Sequence, residues 1–285
     1  MSRRNLLWRG LGELANFILI ASILLPILAL LLGALQTERD LFANVPHLWP
    51  HRFTLVNIQT LLHGHLSGFT ATRNFPAAFL HSLIVAAGTT VVGVSAGTLS
   101  AYAIARLMRR AAGPILVMLL ATRMVPVVVL IIPLFVLLKD ASLLNTFQGL
   151  ILAESGFVLP YAIWILISHF ASLPSELEDA ARADGCTRFA AFWRVMLPLS
   201  TPGVAACAVV VFLITWNDLL LPLILGSADQ TMTLPVFISS FITDRSLSYT
   251  VVYAAGLLTM VPTILAIVIL QRFVVRGLTA GAIKG

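Results

Sequence analysis

The sequence has 285 residues, of which 59% are hydrophobic and only 11% are charged, and its formal net charge is +6. Soluble globular domains have about 45–50% apolar and about 25% charged residues, so this composition excludes a soluble globular protein and predicts a chain surrounded by lipid. The two cysteines are too few for a disulfide framework, and the cations are spread along the chain rather than gathered in a patch for nucleic acid.

The predicted elements are six membrane-spanning helices. A bilayer core is about 30 Å thick and requires about 20 helical residues. The apolar stretches of sufficient length lie near residues 14–35, 79–105, 114–138, 150–169, 199–225 and 249–270. Strands are not expected, because these stretches are longer than about 9–11 residues and do not alternate. The first stretch is longer than the apolar part of a signal peptide, about 7–15 residues, so we interpret it as an uncleaved span.

The distribution of Lys and Arg predicts the orientation. With the N-terminus inside, twelve of the 18 fall on the inner side, five on the outer side, and Arg123 within the third span. The cationic side faces the cytoplasm. Residues 1–13 and 276–285 are therefore predicted to be cytoplasmic segments that flank a six-span domain of residues 14–275.

The long outer loop, residues 36–78, is predicted to form short helices that meet an external partner. It contains four histidines. They form no tight cluster with a carboxylate, so no metal site is predicted.

The cytoplasmic loop of residues 171–198 is predicted to contain two helices. Ser175 and Glu178 have the spacing of a capping box at a helix start. Gly185 suits the left-handed position just past a helix end. A second helix is predicted from about Thr187 to Met196, leading into the fifth span.

One face of the first cytoplasmic helix is small and flat. Leu177, Ala180, Ala181 and Asp184 share this face at helical spacing. A helix lying on the membrane surface is the alternative, but such helices have a large apolar face and many cations. This short helix is rich in alanine and acidic, so we predict that it docks in a groove on another protein.

The same loop resembles the cytoplasmic motif of ABC-importer permeases, Glu-Ala-Ala followed by Gly and then Ile-x-Leu-Pro. Here the letters DAA at residues 179–181 are followed after three residues by Gly185 and after nine more by VMLP at residues 195–198. Asp179 replaces the usual Glu and Val195 the usual Ile. The acidic residue beside Asp179 preserves an acidic pair, which leaves open which carboxylate contacts the partner.

Further stretches resemble the carbohydrate, maltose-type branch of these permeases, and its smaller subunit in particular. They are IPLF at 132–135, LLNT at 143–146, LPYAIW at 159–164, TWNDLLLPLIL at 215–225, TLPV at 233–236 and GLTAGAIKG at 277–285. The resemblance implies an all-α membrane protein of six transmembrane helices with a coupling helix between spans four and five, the type I importer fold. It also implies a location in the bacterial cytoplasmic (inner) membrane.

The function implied by this resemblance is that of a permease subunit in an ATP-driven importer of a sugar or sugar-like solute, working by alternating access. The implied partners are a second homologous permease, two ATPase subunits and an extracytoplasmic sugar-binding protein. The chain has no Walker A pattern, so ATP and Mg are expected on the partner ATPase, and no catalytic residue or cofactor is expected here. The residues expected to couple to the ATPase are Glu178, Asp179, Ala180, Ala181, Asp184, Gly185, Leu197 and Pro198.

Polar groups inside the spans are candidates for the translocation path. They are Arg123, Trp216, Asn217 and Asp218. A buried charge is costly and often marks a path, but Arg123 could equally pair structurally or extend to the membrane surface. The other three could serve packing between permeases, and Glu154 lies near the predicted outer end of the fourth span.

Glycines and prolines mark places where the spans depart from simple helices. Gly93 and Gly97 are spaced for close approach of two helices. Prolines, among them Pro126, are expected to kink or open their spans.

Two other classes of protein are weighed against the importer. An ion-coupled secondary transporter should show paired inverted repeats with broken helices and matching membrane carboxylates, and we find no such repeat. A membrane enzyme needs a nucleophile, base or metal ligands at coherent spacing, and we find none.

Overall fold

The computed structural model describes residues 3–43, 49–63, 74–241 and 248–282, with side chains described from residue 12 to residue 271 within these ranges. Every regular element in the described ranges is helical. The helices are α1 (Arg3–Ala34), α2 (Glu38–Leu41), α3 (Val56–His63), α4 (Phe75–Tyr102), α5 (Ala112–Thr122), α6 (Val127–Asp140), α7 (Phe147–Ser172), α8 (Glu176–Ala183), α9 (Arg188–Ala191), α10 (Leu197–Trp216), α11 (Leu220–Leu225), α12 (Leu234–Phe241) and α13 (Tyr249–Ala282). Two π-helical turns, Ala103–Leu107 and Phe192–Met196, follow α4 and α9 directly.

Five stretches are long and apolar enough to cross a membrane: Gly12–Ala34, Phe75–Leu107, Phe147–Ser172, Arg188–Trp216 and Tyr249–Gln271. The pair α5 and α6 forms a sixth candidate span that is bent by 86°. The described residues therefore match the predicted all-α class with six apolar spans.

The third span is not the single helix predicted for residues 114–138. Helix α5 ends at Thr122 and α6 begins at Val127. Pro126 is the residue directly before α6, and its ψ of 133° is that of extended backbone. Proline disfavours the helical conformation of the residue before it, so the chain turns here and places Arg123 at the corner.

The fifth span also differs from the prediction for residues 199–225. Helix α10 ends at Trp216, and the short helix α11 begins at Leu220. The carboxylate of Asp218 accepts hydrogen bonds from the backbone N–H groups of Leu220 (3.2 Å) and Leu221 (3.4 Å). A carboxylate that caps a new helix start favours a break at this position.

The chain divides into two compact units. The first contains Met1–Pro76 and Phe237–Val261. Within it, the Asn57 side chain donates to the carbonyl oxygens of Ala34 (2.8 Å) and Gln36 (2.7 Å) and accepts from the Thr250 hydroxyl (2.9 Å). These bonds join the end of α1, helix α3 and the start of α13.

The second unit contains Ala77–Val236 and Pro262–Gly285 and is built around α7. Helix α4 approaches α7 closely at Gly97, where an added Cβ would lie 2.7 Å from Cβ of Ala162. At Gly93 an added Cβ would lie 2.9 Å from Cγ2 of Val158. The glycine pair thus gives the close helix approach that its spacing predicts.

Helix α10 packs against another part of α7. An added Cβ at Gly203 would lie 2.5 Å from the ring of His169. Phe170 and Cys207 are fully buried in the core that α7 and α10 share. This packing also holds α9 in place, because α9, the π-helical turn and α10 form one continuous stretch of helix.

Candidate functional site

Helix α8 ends in a Schellman motif at Gly185. The φ of Gly185 is +89°. The N–H of Cys186 donates to the carbonyl of Ala181 (3.0 Å), and the N–H of Gly185 donates to that of Arg182 (3.1 Å). Both bonds are those of a Schellman cap, so the predicted left-handed glycine is confirmed.

The second helix predicted for the loop of residues 171–198 is part of the fifth span. The Thr187 hydroxyl accepts from the N–H of Ala190 (3.2 Å) and caps α9. From there the helix continues without interruption over Arg188–Trp216. Leu197 and Pro198 lie in the first turn of α10, just after the π-helical turn, where the missing N–H of proline is tolerated best.

The predicted capping box is wrong. The backbone of Ser175 is helical (φ −68°, ψ −28°), and its side chain makes no capping bond. The Glu178 side chain turns away from the helix start and is 9% exposed. Its Oε1 accepts a hydrogen bond from the Tyr102 hydroxyl at 2.9 Å. The hydroxyl of Tyr102, on α4, therefore takes the place of the backbone N–H that would donate to Glu178 in a capping box.

Arg106, in the π-helical turn just after α4, completes this contact. Its Nε lies 3.9 Å from Oε2 of Glu178, and its side chain is 5% exposed. Its Nη2 donates to the carbonyl of Leu173 at 2.7 Å, just after α7. We call Tyr102, Arg106 and Glu178 the α4–α8 clasp. The clasp ties α8 to two spans.

The exposed side of α8 differs from the predicted face. Ala181 is buried, whereas Leu177 is 40% exposed and Ala180 and Asp184 are exposed. Asp179 is also exposed. The two neighbouring carboxylates therefore have different environments, and Asp179 is the one that a partner can reach.

Two exposed aromatic residues beside α8 were missed by the sequence reasoning. Phe189 is 70% and Trp193 is 49% exposed, and their ring centroids are 6.0 Å apart. Their spacing of four residues, on a helix of a cytoplasmic loop, is the signal that could have revealed them. We define the docking surface as the exposed residues Leu177, Asp179, Ala180, Asp184, Phe189 and Trp193.

Two of the predicted path residues serve local structure. Trp216 is 1% exposed and lies between Phe212, on which it stacks at 5.8 Å, and Phe79, which it meets edge-on at 5.4 Å. The Asn217 amide donates to the carbonyl of Leu213 (2.7 Å) in the last turn of α10. Neither residue lines the cavity described next.

Arg123 and Asp218 line one cavity of about 180 Å³ together with Glu154. The Arg123 guanidinium carbon lies 4.4 Å from the ring centroid of Tyr161 and 5.9 Å from that of Phe157. Glu154 is 2% exposed. The structure thus buries a carboxyl group that the sequence places near the end of a span.

No metal centre is found in the part of the chain that the structure describes. Its histidine, cysteine, aspartate and glutamate side chains do not come together in groups of three that could hold a metal ion.

Comparisons with known proteins agree with this geometry. The family model "Binding-protein-dependent transport system inner membrane component" matches residues 92–280. A sulfoquinovosyl glycerol transport system permease protein of Agrobacterium fabrum is 35% identical over 277 residues, which are 97% of this chain and 94% of that protein. A trehalose transport system permease protein of Mycobacterium tuberculosis is 35% identical over 256 residues, with 86% and 93% covered.

A solved structure shows the same fold. It belongs to a bacterial ABC transporter involved in the import of the acidic polysaccharide alginate. It matches with a TM-score of 0.78 and 20% sequence identity over 95% of this chain and 98% of that chain. At this identity the likeness concerns the fold alone.

The family model and the permease relatives agree on one class of protein. The chain belongs to the family of inner membrane components of binding-protein-dependent transport systems. It is a permease subunit of an ABC importer and not an enzyme, and an ion-coupled secondary transporter is not supported.

Proposed function

We propose that the chain forms part of the path by which a sugar or sugar-like solute enters the cell. Its relatives support this substrate class. Besides the two described above, a diacetylchitobiose uptake system permease protein of Streptomyces coelicolor is 30% identical over 283 residues, which are 99% of this chain. The three names concern glycosides or sugars of different structure.

The proposed assembly contains a second homologous permease, two ATPase subunits that bind ATP and Mg, and an extracytoplasmic sugar-binding protein. Both termini lie in the cytoplasm, with residues 1–13 and 276–285 outside the six-span domain. The excess of Lys and Arg on that side supports the orientation. The loop of residues 171–198 then faces the ATPases.

The docking surface is proposed to contact the ATPase. The observation that carries this proposal is the contrast within α8, where Asp179 is exposed while its neighbour Glu178 is held in the clasp. Exposed aromatic residues such as Phe189 are typical of contact sites between proteins. Gly185 fixes the angle between α8 and α9, and Leu197 and Pro198 connect the pair to the span.

The clasp is proposed to transmit movement from α8 to α4. The bond from Tyr102 and the bond from Arg106 to Leu173 tie α8 to the spans on its inner side. ATP binding changes the membrane path only if the ATPase binds one arrangement of the spans more tightly than the other. A clasped helix that moves with its spans provides such a difference.

The translocation path is proposed to pass Arg123 and Asp218. Both lie at helix breaks and line one cavity. Trp216 and Asn217 take part by holding the end of α10 in place. Broken helices that line a cavity are a common way to expose polar backbone and side chains inside a membrane.

Copurification tests the proposed docking surface. We expect the natural chain, purified from mildly solubilised membranes, to bring down an ATPase and a second permease. Asp179→Lys should lower ATPase recovery about tenfold or more, since reversing a charge at an interface costs at least about 1.4 kcal/mol. The second permease should remain bound.

Asp140→Lys is the matched control, because Asp140 is an exposed acid at the end of α6 and lies outside the docking surface. It should retain the ATPase. Full ATPase recovery with Asp179→Lys would contradict the assignment of the surface. Recovery of the second permease without any ATPase from the natural chain would contradict the proposed assembly.

A further inference from the structure

The cavity beside Arg123 lies within the second compact unit, between two breaks in its helices and the helix α7. Its walls come from the α5–α6 corner, from the middle of α7 and from the break between α10 and α11. Its volume of about 180 Å³ is several times the roughly 30 Å³ that one water takes up in the liquid. It can therefore hold more than a single solvent molecule.

Polar atoms on its walls are buried without a hydrogen-bond partner. These atoms are Nε and Nη2 of Arg123 and Oε1 of Glu154. Such atoms are rare in proteins because leaving them unsatisfied costs about 1–3 kcal/mol or more for a charged group. Arg123 is a donor and Oε1 of Glu154 is an acceptor, yet these atoms form no hydrogen bond with each other.

Arg123 is held from behind by another part of the protein, since its guanidinium carbon lies 4.4 Å from the centroid of the Tyr161 ring. Asp218, which also lines the cavity, is held by the hydrogen bonds that it accepts from the N–H groups of Leu220 and Leu221. Side chains that are fixed before a ligand arrives lose little entropy on binding.

The unsatisfied atoms define the chemistry of a matching ligand. Arg123 can only donate, whereas the free oxygen of Glu154 can accept. A hydroxyl group does both, so neighbouring hydroxyls on one ring can satisfy both residues. An anion would pair with Arg123 but meet the carboxyl groups of Glu154 and Asp218.

The rest of the wall is apolar. Phe157, Val158, Ile214 and Leu221 line it alongside the polar groups. Ligand sites commonly combine apolar walls with a few polar groups that fix orientation. The C–H faces of a sugar ring suit such a surface.

We propose that this cavity is a binding site for a neutral, polyhydroxylated sugar ring on the transport path, with Arg123 donating to its hydroxyls and Glu154 accepting from them. Tyr161 positions Arg123. This assignment rests on the proposed function, because it presumes a sugar as the transported solute.

Protection of a cysteine in the cavity tests the assignment. Ile214→Cys is introduced into a chain whose native thiols are removed by Cys186→Ser and Cys207→Ala, within the complete complex in lipid nanodiscs. The rate of labelling by N-ethylmaleimide is measured alone and with trehalose, maltose, diacetylchitobiose or galacturonate. We expect at least one of the neutral sugars to slow labelling and galacturonate to protect less.

Variants then separate the two polar groups from the rest of the wall. Arg123→Gln, which shortens the side chain and removes the guanidinium, and Glu154→Leu, which removes the acceptor, should each raise the sugar concentration needed for protection about tenfold, as expected for a lost hydrogen bond whose partner is left unsatisfied. Lys139→Gln is the matched control, since Lys139 lies at the end of α6 and outside the cavity. Ala141→Cys, at an exposed position just after α6 and outside the cavity, should be labelled at the same rate with and without sugar.

Each outcome bears on one of the two proposals. Labelling that none of the neutral sugars slows, in a complex that retains its ATPases, would overturn the binding site and leave the proposed function standing. Stronger protection by galacturonate, or loss of the second permease from Arg123→Gln, would overturn the neutral-sugar assignment in favour of an anion or a partner contact. Absence of ATPases from the natural complex would instead contradict the proposed function.

Discussion

Gly185 adopts a φ of +89° at the end of α8, and nothing lies within 4 Å of the position that a Cβ would take there. The restriction on this residue therefore comes from the backbone and not from space. For residues other than glycine, the left-handed region costs about 1–2 kcal/mol of conformational free energy. The cost is greatest for β-branched residues.

Gly185→Val should loosen the turn between α8 and α9 and weaken ATPase docking. We expect ATPase recovery in copurification to fall severalfold, in line with about 1–2 kcal/mol of backbone strain. Gly113→Ala is a suitable control, because Gly113 also has open space around it but no positive φ. Equal recovery from Gly185→Val and Gly113→Ala would show that the cap is not needed for docking.

At the scale of helices, the close contact between α4 and α7 depends on the absence of side chains. The position of a Cβ at Gly97 is only 2.7 Å from Cβ of Ala162. Both atoms belong to rigid helices, so neither can move aside alone. Small residues allow such helix approach inside membranes.

Gly97→Val should force α4 and α7 apart and destabilise the second compact unit by about 1–3 kcal/mol, the usual cost of overpacking. The measurement is the thermal stability of the purified complex in detergent. The readout is the loss of the monodisperse peak in size-exclusion chromatography as the temperature rises. Gly156→Ala, on α7 where nothing lies within 4 Å of the added Cβ, should leave the stability unchanged. If the Gly97→Val complex had the same melting temperature as the natural complex, this result would contradict the close packing of α4 against α7.

The apolar runs predicted the positions of most helices, because the length of an apolar run is the main sequence signal of a membrane-spanning helix. The runs themselves did not predict the corner at Pro126 or the break at Asp218, since an apolar run continues through both. Pro126 predicted that its span would kink or open, and the 86° bend agrees with this. The sequence motif identified the cytoplasmic pair and Gly185. It could not orient Glu178, whose partner Tyr102 lies 76 residues away along the chain.

At the scale of the whole molecule, we propose that the α4–α8 clasp links docking to transport. Glu178 is buried, accepts a hydrogen bond from Tyr102 and lies 3.9 Å from Nε of Arg106, so movement of α8 is expected to carry the end of α4 with it. Docking is proposed to use the opposite side of α8. The two activities can therefore be separated by mutation.

Glu178→Ala and Tyr102→Phe should leave ATPase copurification intact while lowering sugar uptake per ATP hydrolysed about tenfold, a typical coupling energy between sites. Because both changes break the same contact, the double variant should be no worse than the more impaired single variant. Uptake and hydrolysis are measured together in proteoliposomes. Tyr249→Phe, at a 60% exposed position, serves as the matched control.

The continuous helix from Arg188 to Trp216 has a further consequence. Its 29 residues, at about 1.5 Å each, make a rod of about 43 Å, longer than the roughly 30 Å of a bilayer core. One rigid piece thus reaches from the turn after Gly185 to the break beside the Arg123 cavity. We expect a tilt of this helix to move both of its ends together, which would work against a passage open on both sides at once. Such an interlock would protect the membrane potential, since a pore open at both ends would let ions leak with every cycle.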